Sequence, residues 1–396
     1  MVLSCYFILI LKKINVFKMT PVYFDNAAST PLAHEVLEEM LPYLRQHFGN
    51  PSSIHAFGRT TRSAIEKARK TVAEIFNISP SEIFFTSCAS EANNQAIISG
   101  TRTLNCKHLI TSKIEHHAVL HAVEYVAKND AVKISYLQTN AKGQINLNEL
   151  EQLLISNPQS FVSLMHGNNE IGNLNDIATI AQLCKANQAY FHSDTVQTVG
   201  HYQHDLQNIK TDFIVGSAHK FHGPKGVGFI YVKGDNKIGP YIHGGSQERN
   251  MRGGTENVAG IVGLAKALEL AYAGMQTHQA HILALKTSMI EKLKIAIPGI
   301  QFNGDCENCT TSLYTVLSIS LPPSEENDML LMNLDINKIA ASGGSACTSG
   351  ATESSHVIEA IQGDTNRGTV RFSFSRYNTM AEVDYVVNVL KKYCVK

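Results

Sequence analysis

From Phe57 onward, apolar residues recur in two alternating rhythms. Over Arg59 to Phe76, residues Ile65, Ala68, Val72 and Ile75 fall three and four apart, which places them on one face of a helix. Glu82 to Thr86 reads as a short strand and Glu91 to Gly100 as a helix. Short apolar runs follow at Lys107 to Thr111, Lys133 to Leu137, Phe161 to Met165, Tyr190 to Ser193 and Asp212 to Val215. Between most of them lie helical stretches such as Ala118 to Ala127 and Ile177 to Ala186. Apolar strands alternating with helices predict right-handed crossovers and a mostly parallel sheet covered on both faces. Ligands of open sheets of that kind sit beyond the carboxyl ends of the strands, so functional residues are expected just after these runs.

Past Glu256 the helical pattern continues to about Ile297, where Pro298 stops it. Shorter strands (Thr315 to Ser320, Thr369 to Phe374) and a closing helix (Ala381 to Tyr393) then predict a smaller α+β domain, which the extended segment Val22 to Thr30 can join. The expected division is an N-terminal extension over 1–18, a large domain over 34–270, and a small domain made of 19–33 with 271–396. In the extension, the apolar run Val2 to Leu11 precedes Lys12 and Lys13. That is the reverse of a secretory signal, and the run is too short to span a bilayer. Ordered-looking sequence begins at Val22, so Met19 is the preferred start, with an interfacial anchor as the lesser reading of the apolar run.

Composition narrows the class. Lys+Arg and Asp+Glu both number 34, so no net field draws in nucleic acid or an anionic membrane, and neither is expected as a partner. Eight scattered cysteines are too sparse for a secreted disulfide framework and fit the reducing cytoplasm. Cys306-Glu-Asn-Cys309 is a lone CxxC with no second pair, so no metal site is expected there.

Three segments carry chemistry. Ser217-Ala-His-Lys220-Phe-His-Gly-Pro-Lys-Gly-Val-Gly228 follows one strand and leads into another. A lysine that forms a Schiff base needs a depressed pKa and a fixed position, and partial burial and neighbouring cations supply the first. Phe191-His-Ser-Asp194-Thr-Val-Gln197 puts a carboxylate just past a strand end, where it can pair with a protonated pyridine nitrogen. Thr86-Ser-Cys-Ala-Ser90-Glu91 lies between strand and helix, where backbone N–H groups can hold a phosphate. Taken singly, each has a plainer reading: a surface loop, a helix cap, an N-cap serine.

The chain resembles the fold-type-I, pyridoxal-phosphate cysteine desulfurases of the NifS/IscS type. The resemblance runs from about Val22 to the C-terminus. It rests on Tyr23-Phe-Asp-Asn-Ala-Ala-Ser-Thr-Pro31, Phe48-Gly-Asn-Pro-Ser-Ser53, Met165-His-Gly-Asn-Asn-Glu-Ile-Gly172, Ser217-Ala-His-Lys220, Arg252-Gly-Gly-Thr255 and Gly344-Ser-Ala-Cys347, in family order. It implies an α/β fold and pyridoxal 5'-phosphate carried by Lys220, with Asp194 on the pyridinium nitrogen and Gln197 on the phenolic oxygen. His116 would stack on the ring and move protons. Ala89, Ser90, Ser217 and His219 would hold the phosphate, joined by Thr255 from the second subunit of a homodimer. Asn169 and Arg371 would receive the substrate carboxylate, a task suited to the fork of a guanidinium.

The resemblance also implies Cys347 as the nucleophile that takes sulfur from L-cysteine and passes it to an acceptor such as an iron–sulfur scaffold or a tRNA-thiolation enzyme. Its setting agrees: Ala341-Ser-Gly-Gly-Ser-Ala-Cys-Thr-Ser-Gly350 is a run of small residues that predicts an exposed, mobile segment. Cys88 stands where the family usually has glycine, Ser90 replaces threonine, and Ala218 replaces a glycine or similarly small residue. Cys88 is expected to pack and the other two to be tolerated. The rival readings are a selenocysteine lyase or aminotransferase of the same fold type and a catalytically silent sulfur-trafficking scaffold. Retention of both Lys220 and Cys347 weighs against the scaffold.

Overall fold

The computed structural model describes residues 21–343, 355–364 and 366–394. The strands are β1 (Val22–Tyr23), β2 (Ile83–Thr86), β3 (His108–Ser112), β4 (Lys133–Leu137), β5 (Phe161–Ser163), β6 (Tyr190–Asp194), β7 (Phe213–Ser217), β8 (Gly228–Val232), β9 (Gln301–Phe302), β10 (Val316–Leu321), β11 (Ile339–Ala340) and β12 (Gly368–Ser373). Seven of them form one sheet in the order β2-β8-β7-β6-β5-β3-β4. All its pairings are parallel except those of β8, which runs antiparallel to both β2 and β7.

The central strands are apolar throughout because both their faces are covered. On β7, Ile214 enters a core shared with helices Ala56–Ile75 and Val258–Ala273. Its neighbours Phe213 and Val215 enter the opposite core, against Ala89–Asn94 and His117–Asp130. Side chains alternate across a strand, so an all-apolar run serves two layers at once.

A separate core gathers Val22 and Phe24 with helix Met275–Ala296, strands β10 and β12, and the closing helix Met380–Cys394. Here β12-β10-β9 form an antiparallel sheet and β1 pairs in parallel with β11, Val22 opposite Ile339. The N-terminal strand is thus built into the same body as the C-terminal third of the chain.

The continuous helix expected up to Ile297 is two helices, Val258–Ala273 and Met275–Ala296, meeting at 73°. Gly274 makes the corner: a Cβ there would come within 2.3 Å of the His278 ring. The first helix buries Ile261, Leu264 and Leu268 against the large sheet, and the second buries Leu285, Met289 and Leu293 in the small core. Both are hydrophobic enough to read as one helix, and only the direction of burial separates them. Among the described residues, no single helix is long and apolar enough to cross a membrane.

Candidate active site

Several strands of the large sheet end at one cavity of about 420 Å³. Its walls include Ala89 and Ser90 after β2, His116 after β3, Asn169 after β5, Asp194 and Gln197 at and after β6, and Ser217, His219 and Lys220 at and after β7. Arg371 on β12 and the turn Ala27-Ala28-Ser29 close the other side.

Asp194 is the last residue of β6, and both its oxygens are engaged. Oδ2 accepts from Asn93 Nδ2 at 2.8 Å and Oδ1 from the Val196 N–H at 3.0 Å. The carboxylate is thereby aimed into the cavity by two hydrogen bonds. Lys220 sits in a single tight turn after β7 (Ala218–Lys220), and its Nζ donates to the carbonyls of Ala27 at 2.6 Å and Ala28 at 2.9 Å. Gln197 Nε2 donates to the same Ala27 carbonyl at 3.0 Å.

His116 is the N-cap of His117–Asp130, and its Nδ1 accepts from the Ala118 N–H at 3.1 Å. A nitrogen that accepts carries no proton, so the neutral ring bears its hydrogen on Nε2. Burial lowers the His116 pKa and Lys220 lowers it further, while Asp194 and Glu170 pull the other way. His219, with Nδ1 3.2 Å from Ser29 Oγ, is pushed down to about 4 by burial, with Lys220 and Lys225 adding to it. Both imidazoles are neutral near pH 7.

Arg371 is 2% exposed. Its Nη1 donates to the Asn169 carbonyl at 2.9 Å and its Nη2 to Asp25 Oδ1 at 2.8 Å, while Nε is buried with no partner among the described residues. Asn169 lines the cavity, but it meets Arg371 through its backbone carbonyl.

Two expected residues are not in this constellation. Thr255 lines a separate recess of about 130 Å³ with Phe85, Thr86, Ser87, Glu248 and Arg252. Cys347 lies outside the described residues. On its N-terminal side, Ser342 pairs with Arg371 through backbone bonds; on its C-terminal side, the Ser355 hydroxyl donates to Glu170. Cys88 forms part of the cavity wall, with Ser87 Oγ 3.7 Å from its sulfur, and Ala218 is fully buried. The CxxC is not near this cavity wall: Cys306 is buried in the small core, donating to the Ser318 carbonyl at 3.1 Å, and burial pushes its thiol up to about 11.

Sequence reasoning missed three residues that brace the site. Asn93 stands behind Asp194, and Asp25 behind Arg371. Glu115 is fully buried with its carboxylate on the Met165 N–H (2.9 and 3.1 Å) and the Ser112 hydroxyl. Burial pushes that carboxyl up to about 8, with Asp194 adding to it. Asp25 stands inside the motif Tyr23 to Pro31, which was the available signal; Asn93 is one helical turn past Ser90.

The chain matches the class-V aminotransferase family over residues 22–386. It is 41% identical over 379 residues to the cysteine desulfurase IscS of Dictyoglomus turgidum, covering 95% of both chains. The chain belongs to the cysteine desulfurases of the class-V aminotransferase family. It is likewise 42% identical to the cysteine desulfurase IscS of Clostridium botulinum over 376 residues, 94% of each. A solved NifS-like protein superposes with a TM-score of 0.86 at 35% identity, over 94% of this chain and 99% of that one. The desulfurase is thus a pyridoxal-phosphate-dependent enzyme, and the expected α/β fold with a mostly parallel central sheet is the one observed.

The cavity's own donors fit such a cofactor. A buried, doubly hydrogen-bonded carboxylate suits a ring nitrogen that must stay protonated. An amine held by two carbonyls suits covalent attachment, and a neutral imidazole and the first turn of a helix complete the set.

Proposed function

We propose that this desulfurase takes the sulfur of L-cysteine onto Cys347 as a persulfide, releases L-alanine, and does so with Lys220, Asp194, His116 and Arg371 in distinct roles. The observation that carries the reading is the convergence of Lys220, Asp194, His116 and Arg371 on one cavity from four different strands. Pyridoxal phosphate, when bound, supplies the electron sink for charge that develops at the substrate Cα.

Lys220 holds the cofactor and then serves as the amine that removes the α-proton; its two carbonyl partners keep Nζ in place for both tasks. Asp194 stabilises positive charge on the ring nitrogen, and Gln197 donates to the phenolic oxygen. Ala89, Ser90, Ser217 and His219 hold the phosphate, His219 as a neutral donor. His116, in the cavity wall, would face the cofactor ring and give or take a proton at Nε2, because Nδ1 is committed to Ala118. Arg371, with Asn169, receives the substrate carboxylate on the guanidinium edge that includes the unpaired Nε.

The Cys347 thiolate attacks the substrate sulfur, the substrate Cβ–S bond breaks, and its electron pair stays with the three-carbon remainder. Protonation of that remainder yields alanine, and the sulfur stays on Cys347 until a thiol-bearing acceptor protein, such as an iron–sulfur scaffold, removes it. We propose further that two copies form a homodimer in which Thr255 completes the partner's phosphate site. Its position away from its own chain's cavity supports this, as do the exposed Phe48 (78%), Ile54 (92%) and Phe57 (59%). We place the enzyme in the cytoplasm, with 34–270 and 19–33 plus 271–396 as its two domains; the six free cysteines among the described residues suit a reducing compartment.

The test is formation of alanine and sulfide from L-cysteine by wild type, Cys347→Ser and Lys220→Ala. Both variants should lose turnover, and only Lys220→Ala should also lose the visible absorbance of the loaded protein. Full activity in Cys347→Ser would remove the persulfide step.

A further inference from the structure

Arg371 is a buried cation that already has an anionic partner. A buried guanidinium left without one is strongly destabilised, and here Asp25 meets it at 2.8 Å. Asp25 is held rigidly for this. It opens the turn in which the Ala28 and Ser29 N–H groups point back at its carbonyl, and its backbone bridges Ser373 on the arginine's own strand. The oxygen that accepts from Arg371 also accepts from the Ser342 hydroxyl at 2.8 Å, so the two donors share one site. The pair lies between the turn that holds Lys220 and the strand that carries Arg371.

This arrangement has a chemical cost. A carboxylate arriving at Arg371 meets an ion pair rather than a bare cation, so its binding is weakened. The reaction makes that weakening useful. Substrate and product, cysteine and alanine, carry the same α-carboxylate, and a contact that grips both equally slows release of the product as much as it aids capture of the substrate.

We propose that Asp25 is a positioning residue that tunes ligand affinity through Arg371: a built-in carboxylate that competes with the ligand's own for the guanidinium and so keeps amino-acid binding reversible. The inference rests on the reading of Arg371 as the receptor of the substrate carboxylate.

The experiment measures, on the cofactor-loaded full chain, KM for L-cysteine, KM for its methyl ester and product inhibition by L-alanine. In Asp25→Asn, KM for the acid and the inhibition constant of alanine should both fall roughly tenfold, the order expected when one neighbouring charge is removed. The ester, which has no carboxylate, should be unaffected. Ser342→Ala gives the opposite sign: relieved of its second donor, Asp25 holds Arg371 more firmly, and the alanine inhibition constant should rise about twofold, a change of the size of one lost hydrogen bond. An Asp25→Asn enzyme whose alanine inhibition is unchanged or weaker, or whose ester KM shifts as much as the acid, overturns the proposal. Should Asp25→Asn fail to fold, an unchanged or lower inhibition constant in Ser342→Ala overturns it instead. Arg371→Lys separates this failure from that of the underlying reading. If acid and ester suffer equally there, Arg371 is not the carboxylate receptor and both ideas fall; if only the acid suffers, the reading stands whatever Asp25 does.

Discussion

The two sides of the cavity are built on different plans. The lysine side is assembled from strand ends of one sheet, with Asp194 fixed by Asn93 and Val196 and His116 by Ala118, while Lys220 and Gln197 reach across to the Ala27 and Ala28 carbonyls. The arginine side is assembled from segments far apart in sequence, Asp25 with Arg371 and Ser342, Glu170 with Ser355. The first plan gives fixed electrostatics around a group that stays. The second gives paired charges that an arriving ligand can share. A site that must retain a cofactor and release a product needs both.

Altering the key residue of each side in turn should break this comparison most clearly. Asp194→Asn removes the charge proposed to support the ring nitrogen, and on that reading kcat should fall by roughly 10²- to 10³-fold, in the range seen for losing a preorganised electrostatic partner. Alanine binding should change far less. Arg371→Lys should do the reverse: KM for L-cysteine should rise about 10- to 100-fold, as expected when a bidentate fork is replaced by a point charge, with a smaller effect on kcat. Steady-state kinetics of the two variants decide; equal effects on both constants in both variants would erase the distinction.

A smaller effect sharpens it through pH. Burial pushes His192, His201, His204 and His219 down to about 4 and His222 to about 3, from an ordinary value of 6.5. In each case the unfolded chain binds the proton more readily than the folded one. The stability these neutral rings represent is therefore complete above pH 6.5 and is lost as pH falls towards 4. Urea midpoints should drop steadily across that window, and His219→Gln, in the cavity wall, should flatten part of the slope. A flat profile between pH 6.5 and 4 would contradict the buried neutral state.

Much of the lysine side was legible in the sequence for a physical reason. Strands covered on both faces are continuous apolar runs, and ligands sit at their carboxyl ends, so Asp194 and Lys220 stood where the pattern pointed. Local spacing does not record which distant residue will meet which. Asp25 and Arg371 are 346 positions apart, and nothing in either neighbourhood announces the other. Asn93 and Glu115 were hidden for a related reason: each looks like an ordinary helix or loop residue until the carboxylate or amide it serves is folded against it. The corner at Gly274 was missed because both flanking helices are apolar enough to continue one pattern, although they serve different cores.

The bond from the Ala118 N–H to His116 Nδ1 is read twice, once by the backbone and once by the reaction. It starts a helix, and in the proposed reaction it decides which ring atom can speak to the substrate. An asparagine at this position would satisfy the first reader and silence the second. Drift at residue 116 is thus constrained by two unrelated demands at the two nitrogens of one ring, and a chain that lost the chemistry could still keep the fold intact.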